Sequence, residues 1–392
     1  MAELRLLAIA DDLTGAGEVA SACGAGTRVV LGTPTPEQWD GLQRHNTSAL
    51  VVDTGTRDAD PEDAATVITS LIREIPDGIT VFKKVDSLLR GNTGAEIKAL
   101  SARSPVVLAP ALPDIDRTVE GGILRIARRA LVETTLWDHE KNPAPERVTD
   151  LFPHTDVAEI SIDDIRAGRL DALQQHRAGV LVCDAIADSD LDAIVSAAPL
   201  NAVLAGSRAL AEALDRRDSV RTAPSQNTDI PASDRQVLVV VGTASSAAVA
   251  QIDELKSRGY PVIDLDPECI STLNPDTHVA NHVLVVSLAG STPNAHAPHL
   301  AQDVAHAVAA IAVGRNLVLT GGETARKVLD VLDIRMLTHV ATVEPGLVEL
   351  TADSGRRVIT RPGSFGSRYS LARAIRHLTT PNARQRTHIR DR

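Results

Sequence analysis

Residues 79–96 read Ile79-Thr80-Val81-Phe82-Lys83-Lys84-Val85-Asp86-Ser87-Leu88-Leu89-Arg90-Gly91-Asn92-Thr93-Gly94-Ala95-Glu96. The apolar segment Ile79 to Phe82 predicts a strand. The run from Lys83 to Asn92 then holds three cations, one carboxylate, a hydroxyl and an amide, and Thr93-Gly94-Ala95-Glu96 has the Thr-x-x-Glu form of a capping box, which predicts a helix start. Strand, charged loop and helix make one βα unit, and open α/β sheets bind ligands at the carboxyl ends of such strands. A solvated surface run with Asp86 as local charge balance is the plain alternative. Gly91, which permits close backbone approach, and Asn92, with both donor and acceptor, favour a loop that holds an anionic, hydroxylated small molecule.

The same alternation extends along the chain. Apolar runs at Leu4 to Ala10, Ala49 to Val52, Val106 to Ala109, Val180 to Cys183 and Val203 to Ala205 are separated by helical stretches, as parallel strands with crossover helices require. Residues 222–235, Thr-Ala-Pro-Ser-Gln-Asn-Thr-Asp-Ile-Pro-Ala-Ser-Asp-Arg, lack apolar periodicity and read as an interdomain linker. Strand-like runs resume at Val237 to Val241, Pro261 to Leu265, Val283 to Leu288, Leu317 to Thr320, Val340 to Val343 and Val358 to Thr360. The expected fold is therefore α/β with two domains, 1–221 and 236–378, each a mainly parallel sheet flanked by helices, and a polar, frayed tail over 379–392.

Composition narrows the function. Aromatic residues make up only 2% of the 392, so the cores are aliphatic and stacking platforms for single-stranded nucleic acid are lacking. A net charge of −11 argues against general affinity for nucleic acid or anionic membranes. Cys23, Cys183 and Cys269 are far apart and read as buried small hydrophobes in a reducing compartment. The amino terminus carries Glu3 and reads as a first strand, no apolar run reaches the length of a membrane span, and a cytoplasmic location is expected.

Other stations fall at predicted strand ends. Asp11-Asp12-Leu13-Thr14-Gly15-Ala16-Gly17 follows the opening strand; paired carboxylates there can bind hydroxyls, coordinate Mg²⁺ or act as general base, although one Asp suffices as a helix cap. Gly15-x-Gly17-x-x-Ala20 imitates a dinucleotide fingerprint, but Asp11 to Thr14 intervene after the strand and no acidic residue ends the next one, so the match reads as accidental. Asp53-Thr54-Gly55-Thr56-Arg57 offers an Arg to clamp a carboxylate, and Pro110 to Thr118 lines the same edge. In the second half, Gly242-Thr243-Ala244-Ser245-Ser246, Gly321-Gly322-Glu323-Thr324-Ala325 and Pro362-Gly363-Ser364-Phe365-Gly366 are glycine and hydroxyl turns before helices, where backbone N–H groups cradle phosphates. There is no P-loop motif. His299, Asp303 and His306 share one flank of a predicted helix and read as solvated.

These stations, in this order, resemble the four-carbon acid sugar kinase family, which phosphorylates tetronates such as D-threonate, D-erythronate and 3-oxo-tetronate with ATP. The resemblance is carried by Ile9-Ala10-Asp11-Asp12-Leu13-Thr14-Gly15-Ala16, by Lys83 to Asn92 with Glu96, and by Gly321 to Ala325. It implies a substrate site formed by Asp11, Asp12, Arg57, Lys83, Lys84, Val85, Asp86, Ser87 and Asn92, in which Asp12 or Asp86 is the base and Lys84 and Arg90 are catalytic cations. It implies an ATP site from Gly242, Thr243, Ser245, Gly321, Gly322, Glu323, Thr324, Gly363, Ser364, Phe365 and Gly366, with Mg²⁺ as cofactor, an active site in the interdomain cleft, a sugar-acid substrate and a homodimer as partners. The chain departs from the family pattern at Leu88, where Thr is usual, at Thr243, where Ser is usual, and at Arg361, where Lys is usual. Leu88 and Arg361 motivate one rival, a sugar-acid sensor that has lost transfer; the glycine pattern motivates another, a nicotinamide-dependent oxidoreductase.

Overall fold

The structure is a computed structural model that describes residues 4–380 apart from 45–46, 77, 139, 141, 176–178, 219–234, 269, 271–272, 275, 277–280, 290–298 and 364. Cys269, Ser364, most of the expected linker and nearly all of the expected tail lie outside the described residues. The chain divides into two compact units, Met1–Thr222 and Ala223–Arg392.

The first unit begins β1 (Leu6–Ala10), α1 (Leu13–Cys23), β2 (Arg28–Leu31), α2 (Pro36–Arg44), β3 (Ala49–Asp53), α3 (Pro61–Arg73), β4 (Thr80–Lys84), α4 (Thr93–Ser101) and β5 (Val106–Ala109). It continues with a small antiparallel sheet, β6 (Arg117–Glu120), β7 (Ile123–Ile126) and β8 (Arg129–Ala130). Then come β9 (Val157–Ile160), α5 (Ile162–Arg166), α6 (Asp171–Gln175), β10 (Val180–Cys183), α7 (Asp188–Ala197), β11 (Val203–Gly206) and α8 (Arg208–Asp218). The main strands pair in parallel in the order β2-β3-β1-β4-β11-β5-β10-β9. β1, β3, β5 and β10 are buried along their whole length, which is why they read as continuous apolar runs with no polar alternation.

Register sets the site. Ala10 of β1 lies beside Asp53 of β3, and Ile9 beside Lys83 of β4. The chain passes from β3 on one side of β1 to β4 on the other, so the direction of winding reverses here and the loops after β3, β1 and β4 emerge side by side. The expected capping box at α4 does not form: Asn92 is the N-cap, with no side-chain cap bond, and the Glu96 side chain turns inward.

The second unit comprises β12 (Val237–Val241), α9 (Ser246–Ser257), β13 (Val262–Asp264), β14 (Val283–Ser287), α10 (Leu300–Ala312), β15 (Asn316–Thr320) and α11 (Gly322–Val331), followed by β16 (Met336–Glu344), β17 (Leu347–Ala352), β18 (Arg357–Arg361) and α12 (Ser370–Thr379). Its strands run β13-β14-β12-β15-β18-β17-β16, parallel through β18 and antiparallel beyond it. The hairpin strand β17 is absent from the sequence expectation; its signal is Pro345-Gly346, with Gly346 at φ 78°, as a tight turn after proline requires. Val237, Val239, Val241, Val285, Ile252, Leu255 and Ile375 share a core in which α9 and α12 cover one sheet face.

Candidate functional site

Three loops of the first unit meet on Arg57. Its guanidinium reaches Asp12 at 2.6 Å, Asp86 at 3.1 Å and Asp11 at 3.7 Å. An Arg flanked by three carboxylates organises them. Arg57 is held by the neighbouring helix: Asn92 donates through Nδ2 to the carbonyls of Thr56 at 2.7 Å and Ala59 at 2.8 Å. Gly91 sits at φ 73° against this loop, and a Cβ there would come within 3.1 Å of the Arg57 side chain and 3.3 Å of Asp11. The Asn92 amide nitrogen is thus engaged by the loop carbonyls.

β4 alternates, so its two lysines face opposite sides of the sheet. Lys84 lies under α1, 3.1 Å from Glu18 and 3.0 Å from the Val85 carbonyl. Burial alone would lower its pKa, but Glu18, Asp12, Asp86 and Asp11 together raise it, so it is a firm cation. Lys83 faces α4, fully buried, 2.8 Å from Glu96, whose other oxygen accepts from the Thr56 hydroxyl. A fully buried ammonium group does not reach a ligand arriving from solvent, so the expected substrate contact at Lys83 is corrected to an internal ion pair. The same pair explains the failed capping box: a buried cation without a carboxylate would be more costly than a helix end without its cap. Val85 is also buried, with its N–H donated to the Gly206 carbonyl, and its side chain belongs to the core.

The two candidate bases differ in their surroundings. Asp86 accepts from Arg90 Nε at 2.7 Å and Nη2 at 3.0 Å and from the Leu88 and Arg90 backbone N–H groups. Burial by itself opposes its ionisation, yet the Arg90 hydrogen bonds and the charges of Arg57, Arg90 and Lys84 hold it well below its ordinary value. Asp12 caps α1, accepting from the Gly15 N–H at 2.6 Å. Burial, the largest influence, raises its pKa; Arg57 opposes this without cancelling it, and Asp11 adds to it. Asp12 also has the most open side chain of the three, 21% exposed against 12% for Asp86 and 4% for Asp11. Gly15 and Gly17 lie inside α1, where a Cβ on Gly15 would meet Asp12 at 3.0 Å and Lys84 at 3.2 Å. Gly15 therefore serves close packing against Asp12 and Lys84.

The three glycine turns of the second unit leave the carboxyl ends of neighbouring strands β12, β15 and β18. They are stitched together: the Gly242 N–H donates to the Thr320 carbonyl at 3.0 Å, the Gly321 N–H to the Arg361 carbonyl at 3.0 Å, and the Ser245 hydroxyl to the Gly363 carbonyl at 2.7 Å. Ser245 also caps α9 through Ala248 N–H, so its hydroxyl serves the turns. A Cβ on Gly242 would lie 2.0 Å from Thr324 Oγ1, a closeness only glycine allows. Arg361 is buried and donates to Gln251 Oε1 and, at 3.1 Å, to the Gly363 carbonyl. Burial pushes its pKa down to about 10, so it remains cationic at neutral pH. Leu88 is buried as well. Two of the three departures from the family pattern, Leu88 and Arg361, are thus buried in the protein interior. Thr243 is half-buried, 3.4 Å from the Ser245 N–H, while Gly322, Glu323, Thr324, Phe365 and Gly366 stand at the same turns. His299, Asp303 and His306 are exposed on α10, with His306 bonded to Gln302 at 2.9 Å.

A cage of carboxylates and cations at the switch point of one parallel sheet, and glycine turns at three adjacent strand ends of another, define a protein with a polar-ligand unit and a phosphate-binding unit. Family models agree: a sugar-binding N-terminal domain matches residues 6–214 and a nucleotide-binding C-terminal domain matches residues 238–371. The chain belongs to the four-carbon acid sugar kinase family. It is 29% identical to a D-threonate kinase of Cupriavidus necator, over 96% of this chain and 99% of that one. It is 27% identical to a 3-oxo-tetronate kinase of Pseudomonas fluorescens, over 94% and 96%. A Salmonella typhimurium protein of known crystal structure has the same fold, with TM-score 0.77 at 22% identity over 96% of this chain and all of that one.

Sequence reasoning missed Glu18, which holds Lys84 from six residues beyond Asp12, and gave Glu96 the wrong task. Neither carries a local signal, because each partner is supplied by another strand or helix.

Proposed function

We propose that this protein is an ATP-dependent kinase that phosphorylates the terminal hydroxyl of a four-carbon sugar acid, a tetronate or 3-oxo-tetronate, in the cytoplasm where ATP is supplied. The observation that carries the reading is the contrast between Asp12 and Asp86: one half-buried carboxylate, the most exposed of the three, with a raised pKa beside one locked in its ionised form by the Arg90 fork and Arg57. A base must be able to take a proton, so Asp12 is the base and Asp86 the structural anion. Its curated relatives, named for D-threonate and 3-oxo-tetronate, supply the substrate class.

Asp12 accepts the proton of the attacking hydroxyl as that oxygen forms its bond to the γ-phosphorus of ATP. The bond from phosphorus to the β,γ-bridging oxygen breaks, and ADP leaves with the bridging electrons. Lys84 balances the charge gathering at this end of the site. The first-turn N–H groups of α9 and α11 hold the nucleotide's phosphates, with Gly242 and Gly321 allowing close approach. Mg²⁺ bound to ATP needs few protein ligands, since phosphate oxygens and waters fill most of its shell. Glu323, exposed in the first turn of α11, is the carboxylate these turns offer it, and the ion would neutralise phosphate charge there.

An ADP-release assay over D-threonate, D-erythronate and their 3-oxo forms tests the reading. Acid-dependent ADP formation with at least one of them is expected. Failure with every one, while ATP still binds, rejects the substrate class.

A further inference from the structure

The four cations of the first unit's charged cage are already paired. Lys83 has Glu96, Lys84 has Glu18, Arg90 has Asp86, and Arg57 has Asp11, Asp12 and Asp86. A ligand carboxylate entering this cage would displace an existing partner at each of them.

Arg117 differs. It opens β6, after the loop that leaves β5, and its guanidinium donates to the Ser87 hydroxyl of the β4 loop. It makes no ion pair among the described residues. The nearest acidic residue in its own loop that is paired, Asp114, belongs to Arg208 at 2.5 Å. The backbone of Arg117 is fixed from both sides, its carbonyl accepting from the Leu112 N–H at 2.7 Å and its N–H donating to the Leu112 carbonyl at 3.2 Å. Asp116 just before it holds a left-handed turn at φ 55°, a conformation that Asp tolerates. Arg117 is thus a half-buried, pre-positioned cation whose one neutral partner uses a fraction of its five N–H donors. Its charge feels the site: burial lowers its pKa, Asp86 raises it and Arg90 lowers it.

We propose that Arg117 and Ser87 anchor the carboxylate of the sugar acid, Arg117 through paired N–H donors and Ser87 through its own O–H, leaving Asp12 to receive the hydroxyl end. Planar, bidentate recognition of a carboxylate is the task for which a guanidinium is shaped. Ser87 is buried and accepts from Arg117, so its own proton is directed elsewhere, toward an acceptor. Arg57 is then the internal organiser and Arg117 the residue that tells an acid from a neutral polyol. This inference rests on the kinase reading above.

Calorimetric titration of tetronates into the wild type and the Arg117→Ala and Arg117→Lys variants, without ATP, tests it, together with turnover of the acid against the matching four-carbon polyol. Loss of about 100-fold in acid affinity is expected for Arg117→Ala, with a smaller loss for Arg117→Lys, which keeps the charge and loses the fork. The preference for acid over polyol should collapse in Arg117→Ala, and guanidinium ion should restore part of it. ATP affinity should be unchanged in both variants, and thermal melting identifies a variant that has failed to fold, in which case Arg117→Lys alone decides. Undiminished tetronate binding and undiminished discrimination in folded variants overturn the inference and leave the kinase reading standing. Absence of tetronate binding to the wild type overturns both.

Discussion

In the proposed function, the polar site of the first unit and the glycine turns of the second serve ligand binding by opposite means. Around Arg57, function lies in side chains whose charges set one another: Asp86 is driven down by Arg90 and Arg57, Asp12 is pushed up by burial, and Lys84 is kept cationic by Glu18 and the aspartates. Around Gly242, Gly321 and Gly363, the proposed binding groups are backbone N–H groups, and side chains such as Ser245, Thr324 and Arg361 hold three turns in place. A charged cage is sensitive to the loss of any one charge. A backbone cradle is sensitive to added volume.

That contrast orders three expectations. The largest effect belongs to Asp12→Asn, which removes the base and should lower kcat by about 10³-fold, with little change in KM for the acid. The wild type should show an acidic limb in kcat above the ordinary carboxylate range, absent from the residual activity of Asp12→Asn. Asp86 should give no such limb. Its folded pKa is depressed, so its contribution to stability is present above its ordinary value of 3.8 and is lost as pH falls below that; Asp86→Asn should flatten the acid side of a stability profile. A base limb that survives in Asp12→Asn would remove the distinction between the two carboxylates.

Next is Glu96→Gln, which leaves Lys83 charged and unpaired in the core and should cost about 3–5 kcal/mol in urea unfolding. Adding Lys83→Met should recover most of that loss, because an apolar chain needs no counter-ion. If the double variant is as unstable as the single one, the pair has a role beyond neutralising itself. The smallest effect is Gly242→Ala, whose Cβ would overlap Thr324. Overpacking of about 1–3 kcal/mol should raise KM for ATP about tenfold and leave tetronate binding by calorimetry unaltered. Equal loss at both ligands would show that the two sites respond to volume alike.

Much of the fold was legible because most parallel strands are short, largely apolar runs bounded by turn residues, and most expected strands lie within a residue or two of the observed ones. The hairpin sheet β6 to β8 and strand β9 were not, since Arg117 to Ala130 alternates weakly and β9 is half exposed. The loops bearing Asp11, Asp12, Arg57, Asp86 and Arg90 were legible as stations, because polar residues directly after an apolar run have few other reasons to be there.

The sequence by itself determined the two α/β units, the strand ends from which ligand loops emerge, and the family to which the chain belongs. Only the tertiary structure decided which charge meets which. Lys83 and Lys84 are adjacent in the chain and alike in type, yet the pleat sends one beneath α4 to Glu96 and the other beneath α1 to Glu18. Asp12 and Asp86 look interchangeable until the Arg90 fork on Asp86 separates them. A carboxylate's readiness to take a proton depends on partners from other strands and on the water it has lost, and neither is written in its neighbours along the chain.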